Sequence, residues 1–127
     1  VQKSLDIEQN VYLFELQLDA LLSRHVPEAK NLSKFPEVRR DIAIIVENGV
    51  SANEINACVN SCHISALQNL MLFDVFQGKG IDPNRKSVAL GLTFQHSSCT
   101  LTDDEINGFV DEILEALTTK LGASLRN

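Results

Sequence analysis

Two stretches of the chain repeat apolar residues with the period of a helix. After Ser51, Ile55, Cys58, Val59 and Cys62 fall at i, i+3, i+4 and i+7. Ser51 with Glu54 forms the pair of a capping box, which fixes where that helix starts. Thr102 with Glu105 repeats the device, with Asp103 and Asp104 placed to complement the helix dipole. Behind it run Ile106, Phe109, Val110, Ile113, Leu114, Leu117 and Leu121, ending at Gly122, a natural helix terminator. Shorter runs read as strands: Asp41–Val46, Leu70–Gln77, Ser87–Phe94 and a brief one over Ala123–Arg126. The second and third are joined by Gly78 to Lys86, a loop of turn formers.

The order strand, helix, strand, strand, helix, strand predicts an α+β ferredoxin-like βαββαβ unit. Right-handed crossovers place both helices on one face of a four-stranded antiparallel sheet and leave the other face open. Residues 1–32 fall outside that unit and read as the tail of a preceding domain plus a linker, with the folded domain at 33–127. In the tail, Val11–Leu16 suits a strand and Leu16–Leu22 a helical turn, while His25–Pro36, with two prolines, reads as linker. The chain opens on Val1 and its only methionine is Met71, so a piece of a longer protein is expected.

Alternation along the strands sorts side chains between core and open face. Met71, Phe73 and Val75 are expected against the helices, with Leu70, Leu72, Asp74 and Phe76 outside. On the next strand Val88, Leu90, Leu92 and Phe94 point inward, and Ser87, Ala89, Gly91 and Thr93 outward. An aromatic ring, a carboxylate and a hydroxyl thus share a floor of small residues. Phe76 suits stacking of an unpaired base, and Asp74 and Ser87 suit reading its edge. An ionised carboxylate only accepts, so Asp74 favours a donor-bearing edge such as that of guanine.

Net charge is −6 over 127 residues, which argues against a generally basic phosphate-binding surface. The distribution is uneven, however. Arg39 and Arg40 at the first strand and Lys79, Arg85 and Lys86 at the joining loop offer phosphate contacts around the open face. With 44% hydrophobic and 22% charged residues the composition is globular, and no apolar run is long enough to span a membrane. Three cysteines and no signal peptide point to reduced thiols and hence the cytoplasm.

The motifs Phe35-Pro36, Val38-Arg39-Arg40-Asp41-Ile42-Ala43, Leu72-Phe73-Asp74-Val75-Phe76-Gln77-Gly78-Lys79-Gly80, Lys86-Ser87-Val88-Ala89-Leu90, Leu92-Thr93-Phe94-Gln95 and Thr100-Leu101-Thr102-Asp103-Asp104-Glu105 occur in this order. Together they resemble the C-terminal anticodon-binding region of bacterial phenylalanyl-tRNA synthetase β subunits, densely over residues 33–126 and thinly over Tyr12–Leu22. The resemblance implies a ferredoxin-fold domain that holds the anticodon stem-loop of phenylalanine tRNA on its open face. Asp74 and Ser87 match the positions that bond the first anticodon base, and Phe76 matches the aromatic that stacks on it. Where the family often has tyrosine, this chain has phenylalanine, which keeps the stacking and drops the phenolic hydroxyl. The resemblance also implies an ATP- and Mg2+-dependent ligase whose catalytic site lies in the α subunit. No catalytic residue, metal or cofactor is then expected in this fragment, whose partners would be tRNA, the α subunit and the rest of the β subunit.

The residues also suggest other chemistry. Cys58, Cys62 and His63 suggest zinc, but both thiols lie on the apolar helix stripe, where they act as small hydrophobes. Gly78-Lys79-Gly80 lacks the spacing of a phosphate-binding loop. Ferredoxin-like sheets also serve as small-ligand regulatory domains, which would place a ligand near Glu47–Ser51. A docking module, its open face covering a neighbouring domain, is the third reading.

Overall fold

The structure, a computed structural model, describes residues 11–22 and 33–126. Contacts divide the chain between Asn31 and Leu32. In the first unit Val11–Gln17 has no regular structure, and α1 (Leu18–Leu21) is a single turn closed by the Leu22 amide on the Asp19 carbonyl. The strand expected over Val11–Leu16 is not formed among the described residues. Residues 1–10, and the expected linker as far as residue 32, lie outside the described residues.

The second unit follows the order β1 (Val38–Glu47), α2 (Ala52–Asn60), β2 (Leu67–Phe76), β3 (Arg85–Phe94), α3 (Asp103–Leu121) and β4 (Ser124–Leu125). The antiparallel sheet runs β2-β3-β1-β4, so β3 and β1 are central, with long β2 and short β4 at the edges. This is the βαββαβ arrangement that the periodicities predict. All strands but the last start earlier than their apolar runs do, because pairing continues past the hydrophobic segment.

One face of the sheet carries the core. Val88, Leu90, Leu92 and Phe94 of β3 are at most 1% exposed and pack with Ile44 and Val46 of β1, Ile55, Cys58 and Val59 of α2, and Ile106, Ile113 and Leu117 of α3. Phe94 stacks on Phe109 with ring centroids 5.8 Å apart. Cys58 lies inside this core and Cys62 at its margin, and burial pushes both thiols up from their ordinary pKa.

The β2 assignment needs correction. Leu70 pairs opposite Leu92 and Leu72 opposite Leu90, so both point to the core, while Met71, opposite Gly91, is on the open face. A bulge between Leu72 and Asp74 then breaks the alternation. Phe73, at the bulge, stands on the open face beside Arg39 and is 48% exposed. Beyond it the phase is restored to the expected one: Asp74 pairs with Ala89, Val75 with Val88 and Phe76 with Ser87. Strict period-two reading fails across an inserted residue, and here both candidate sets were apolar.

Both helix starts are capping boxes. The Glu54 carboxylate accepts from the Ser51 amide at 2.8 Å and its hydroxyl at 2.7 Å, and Glu105 accepts from the Thr102 amide and hydroxyl at 2.8 Å. Helix α3 ends at Gly122 in the left-handed region (φ 61°), which reverses the chain into β4 at no Cβ cost. The capping bonds, backbone first, hold both glutamates below their ordinary pKa. A carboxyl that titrates lower folded than unfolded contributes stability that is present at neutral pH and lost as pH falls through the depressed value. Glu105→Gln is therefore expected to lower Tm at pH 7, and the deficit to shrink below about pH 4. Thermal melts of both proteins across pH 2–7 measure this directly.

Candidate nucleic-acid interface

Pairing puts the open-face side chains in rows across the sheet. One row is Phe76, Ser87, Ile45 and Ser124; the next is Asp74, Ala89 and Ala43; a third is Met71, Gly91 and Asp41. The middle of the floor is small, so the surface is shallow at β3 and walled by β2. Asp74 and Phe76 are exposed, whereas Ser87 is only 3% exposed.

Ser87 is covered by Arg126, a residue that the sequence reading did not select. The Arg126 amide donates to the Ala43 carbonyl at 2.8 Å and so extends the β4 edge. Its side chain then crosses β1 on the open side. Nη1 donates to Ser87 Oγ at 3.2 Å, and Cζ stands 5.3 Å from the centre of the Phe76 ring, a cation–π distance. Phe76 also leans over Gly78, where a Cβ would come within 2.9 Å of the ring. A planar cation, an aromatic ring and a hydroxyl thus meet at one end of the sheet, with Asp74 in the adjoining row. The Asp74 carboxylate makes no hydrogen bond or ion pair among the described residues, which leaves both oxygens ready to accept.

The five basic residues picked from the sequence do not form one rim. Arg39 is on the open face: it bonds Asp41 at 2.8 Å and lies over the Phe73 ring. Arg40, the next residue, faces the helices opposite Leu92 and pairs with Asp103 at the start of α3, 2.6 Å away. Lys86 likewise points to the helix side, opposite Val46, and donates to the Asn48 carbonyl at 2.9 Å. Arg85 donates to the Ile45 and Gly122 carbonyls at 2.9 and 2.8 Å, tying β3 to the end of α3. Lys79 is exposed in the loop. Of the five, Arg39 stands on the open face, Lys79 is exposed in the β2–β3 loop, Arg40 and Lys86 face the helices, and Arg85 is spent on backbone carbonyls.

At the C-terminal end of β1 a polar cleft of about 600 Å³ is lined by Glu47, Asn48, Gly49, Asp82, Asn84, Arg85 and Gly122. It includes part of the loop named by the small-ligand reading, but its one guanidinium is already held by carbonyls. Among the described residues no three His, Cys, Asp or Glu side chains are grouped to hold a metal ion, and no helix is long and apolar enough to cross a membrane.

If Arg126 rests on the face rather than holding it together, removing it costs little. Arg126→Ala is expected to change stability by less than about 1 kcal/mol, the range of an exposed cation–π contact, while shifting the Phe76 ring proton resonances. A thermal melt and a proton NMR spectrum of the variant check both parts.

The chain is 44% identical over 126 residues to a β subunit of phenylalanine–tRNA ligase from Nitrosococcus oceani, 46% over 124 residues to one from Pseudomonas fluorescens, and 42% over 126 residues to one from Pseudoalteromonas translucida. These alignments cover 98–99% of this chain and 16% of each relative, so the chain spans about a sixth of their length. Residues 33–126 match the ferredoxin-fold anticodon binding domain, the same residues that build the sheet, its two helices and the open face. The chain belongs to the ferredoxin-fold anticodon binding domain family.

Proposed function

We propose that this chain is the tRNA-binding end of a phenylalanine–tRNA ligase β subunit, and that its open sheet face holds the anticodon loop of phenylalanine tRNA. The observation that carries the reading is the meeting of Phe76, Ser87 and Arg126 beside the Asp74 carboxylate, which has no partner among the described residues. Unpaired bases are bound by stacking on aromatic and guanidinium planes and by bonds to their edges, and this end of the face has each of those parts.

The geometry suggests an order of events. The first anticodon base stacks on Phe76, in the space that Arg126 covers in the free chain. Arg126 either becomes the second slice of the stack or swings toward a phosphate. Asp74 accepts from the amino and imino hydrogens of guanine, an arrangement that adenine cannot reproduce. The Ser87 oxygen accepts from Arg126 and so has its own hydrogen free to donate to the base. Arg39 and Lys79 supply charge to the backbone. Arg40, Arg85 and Lys86 are left to hold the domain together.

Aminoacylation itself, with ATP and Mg2+, belongs in this reading to the α subunit, and the chain's part is placement. Binding energy gathered at the anticodon fixes the acceptor end relative to the reacting centre. The setting is the cytoplasm, with the rest of the β subunit joined before residue 33 through the segment 1–32, and the binding domain is 33–127.

The test is a titration of the chain with a labelled stem-loop bearing the phenylalanine anticodon, against the same loop with adenine replacing the first anticodon guanine. The native chain is expected to bind the guanine loop roughly ten-fold more tightly, and Asp74→Ala to bind the two alike. Equal affinity of the native chain for both loops would contradict base reading by this face.

A further inference from the structure

The open face carries a second platform apart from the Phe76 site, in which Arg39 offers more than charge. Arg39 does not extend into water. Its guanidinium lies flat over Gly91, where a Cβ would stand 2.9 Å from Nη2, and its Cζ is 5.5 Å from the centre of the Phe73 ring. Its Nε donates to Asp41 Oδ1 at 2.8 Å, and its two amino groups make no hydrogen bond among the described residues. Phe73 is 48% exposed and continues the open-face phase of Met71, while the bulge beside it brings Phe76 to the same face. Glycine on the central strand, an inserted residue on the edge strand and an arginine on β1 together build a flat, half-exposed cationic and aromatic surface.

The parts repeat those at the other end of the face. There a phenylalanine of β2 (Phe76) meets an arginine (Arg126) beside a carboxylate (Asp74); here Phe73 of β2 meets Arg39 beside Asp41. The two rings are three positions apart on β2, at most about 10 Å along the strand. Bases stacked on one another in a strand are about 3.4 Å apart, so one stack does not reach both rings. Two splayed bases do, each on its own platform, as sheet surfaces with two exposed aromatics hold single-stranded RNA.

We propose that Phe73 and Arg39 bind a second unpaired base of the same RNA loop, stacked on their planes and read by the Arg39 amino groups and Asp41. The inference rests on the reading of this face as an RNA surface. It is favoured over protein docking by the flat guanidinium with unspent donors, and by continuity with the Phe76 site on the same floor.

Stem-loops carrying one abasic nucleotide at each loop position in turn, titrated into the native chain and into Phe73→Ala, Phe73→Leu and Phe76→Ala, test it by fluorescence anisotropy. Thermal melts confirm that the variants fold, as expected at half-exposed positions. Phe73→Ala and Phe73→Leu are both expected to weaken binding of the intact loop roughly ten-fold. That loss should vanish at one abasic position, different from the position at which the Phe76→Ala loss vanishes. Native affinity in Phe73→Ala overturns the proposal while leaving the Phe76 site standing. Native affinity in Phe73→Leu alone shows an apolar contact rather than stacking and also overturns it. Cancellation of both losses by the same abasic position shows one base where two are proposed. Failure of the native chain to bind the intact loop removes the RNA reading itself, and this second site with it.

Discussion

Strand β3 is paired with β1 along its whole length and with β2 from Ser87 to Phe94, and its residues alternate between side chains too large to leave in water and side chains too small to cover the sheet. Val88, Leu90, Leu92 and Phe94 draw both helices onto one face by burying apolar area. Ser87, Ala89, Gly91 and Thr93 leave the other face a floor without relief. What stands on that floor comes from neighbouring strands: rings from β2, and guanidiniums from β1 and from the residue after β4. The division into a packed face and a bare one is thus set by one strand, and the elements of the proposed interface are positioned by pairing with it or, for β4, with its neighbour β1.

The bulge in β2 is the second determinant. Without it a residue-by-residue ladder would carry Asp74 and Phe76 to the core side, where an unpaired carboxylate is costly to bury. With it, both Phe73 and Phe76 face outward, and the edge strand offers two rings instead of one. Gly91 complements this by letting Arg39 lie against the sheet. A surface whose summed charge is acidic thereby presents its two open-face arginines flat, next to rings, where stacking rather than net charge supplies the attraction.

Much of this was legible in the sequence where the signal is local. Ser51 with Glu54 and Thr102 with Glu105 place the helix starts because each box closes within four residues. Gly122 ends α3 because only its backbone tolerates φ 61° cheaply. The alternation of β3 is read without error because one set is uniformly large and the other uniformly small. Elsewhere the information is not local. Met71 and Phe73 are as apolar as Leu70 and Leu72, so a bulge inverts the assignment without changing the pattern. Arg39 and Arg40 are neighbours in sequence and lie on opposite faces of the sheet, so proximity along the chain misgroups them. Arg126 follows a two-residue strand, too short for any periodicity to announce which side chain will cross β1 to Ser87.

The central claim is that recognition takes place on the bare face of the sheet. Methyl-selective NMR of alanine-labelled protein tests it most directly, because Ala43 and Ala89 sit mid-floor on that face while Ala52 and Ala57 lie on α2 on the other side. During titration with the phenylalanine anticodon stem-loop, the Ala43 and Ala89 methyl signals should move or broaden while those of Ala52 and Ala57 stay in place. Movement confined to Ala52 and Ala57, with Ala43 and Ala89 unchanged, would contradict the account.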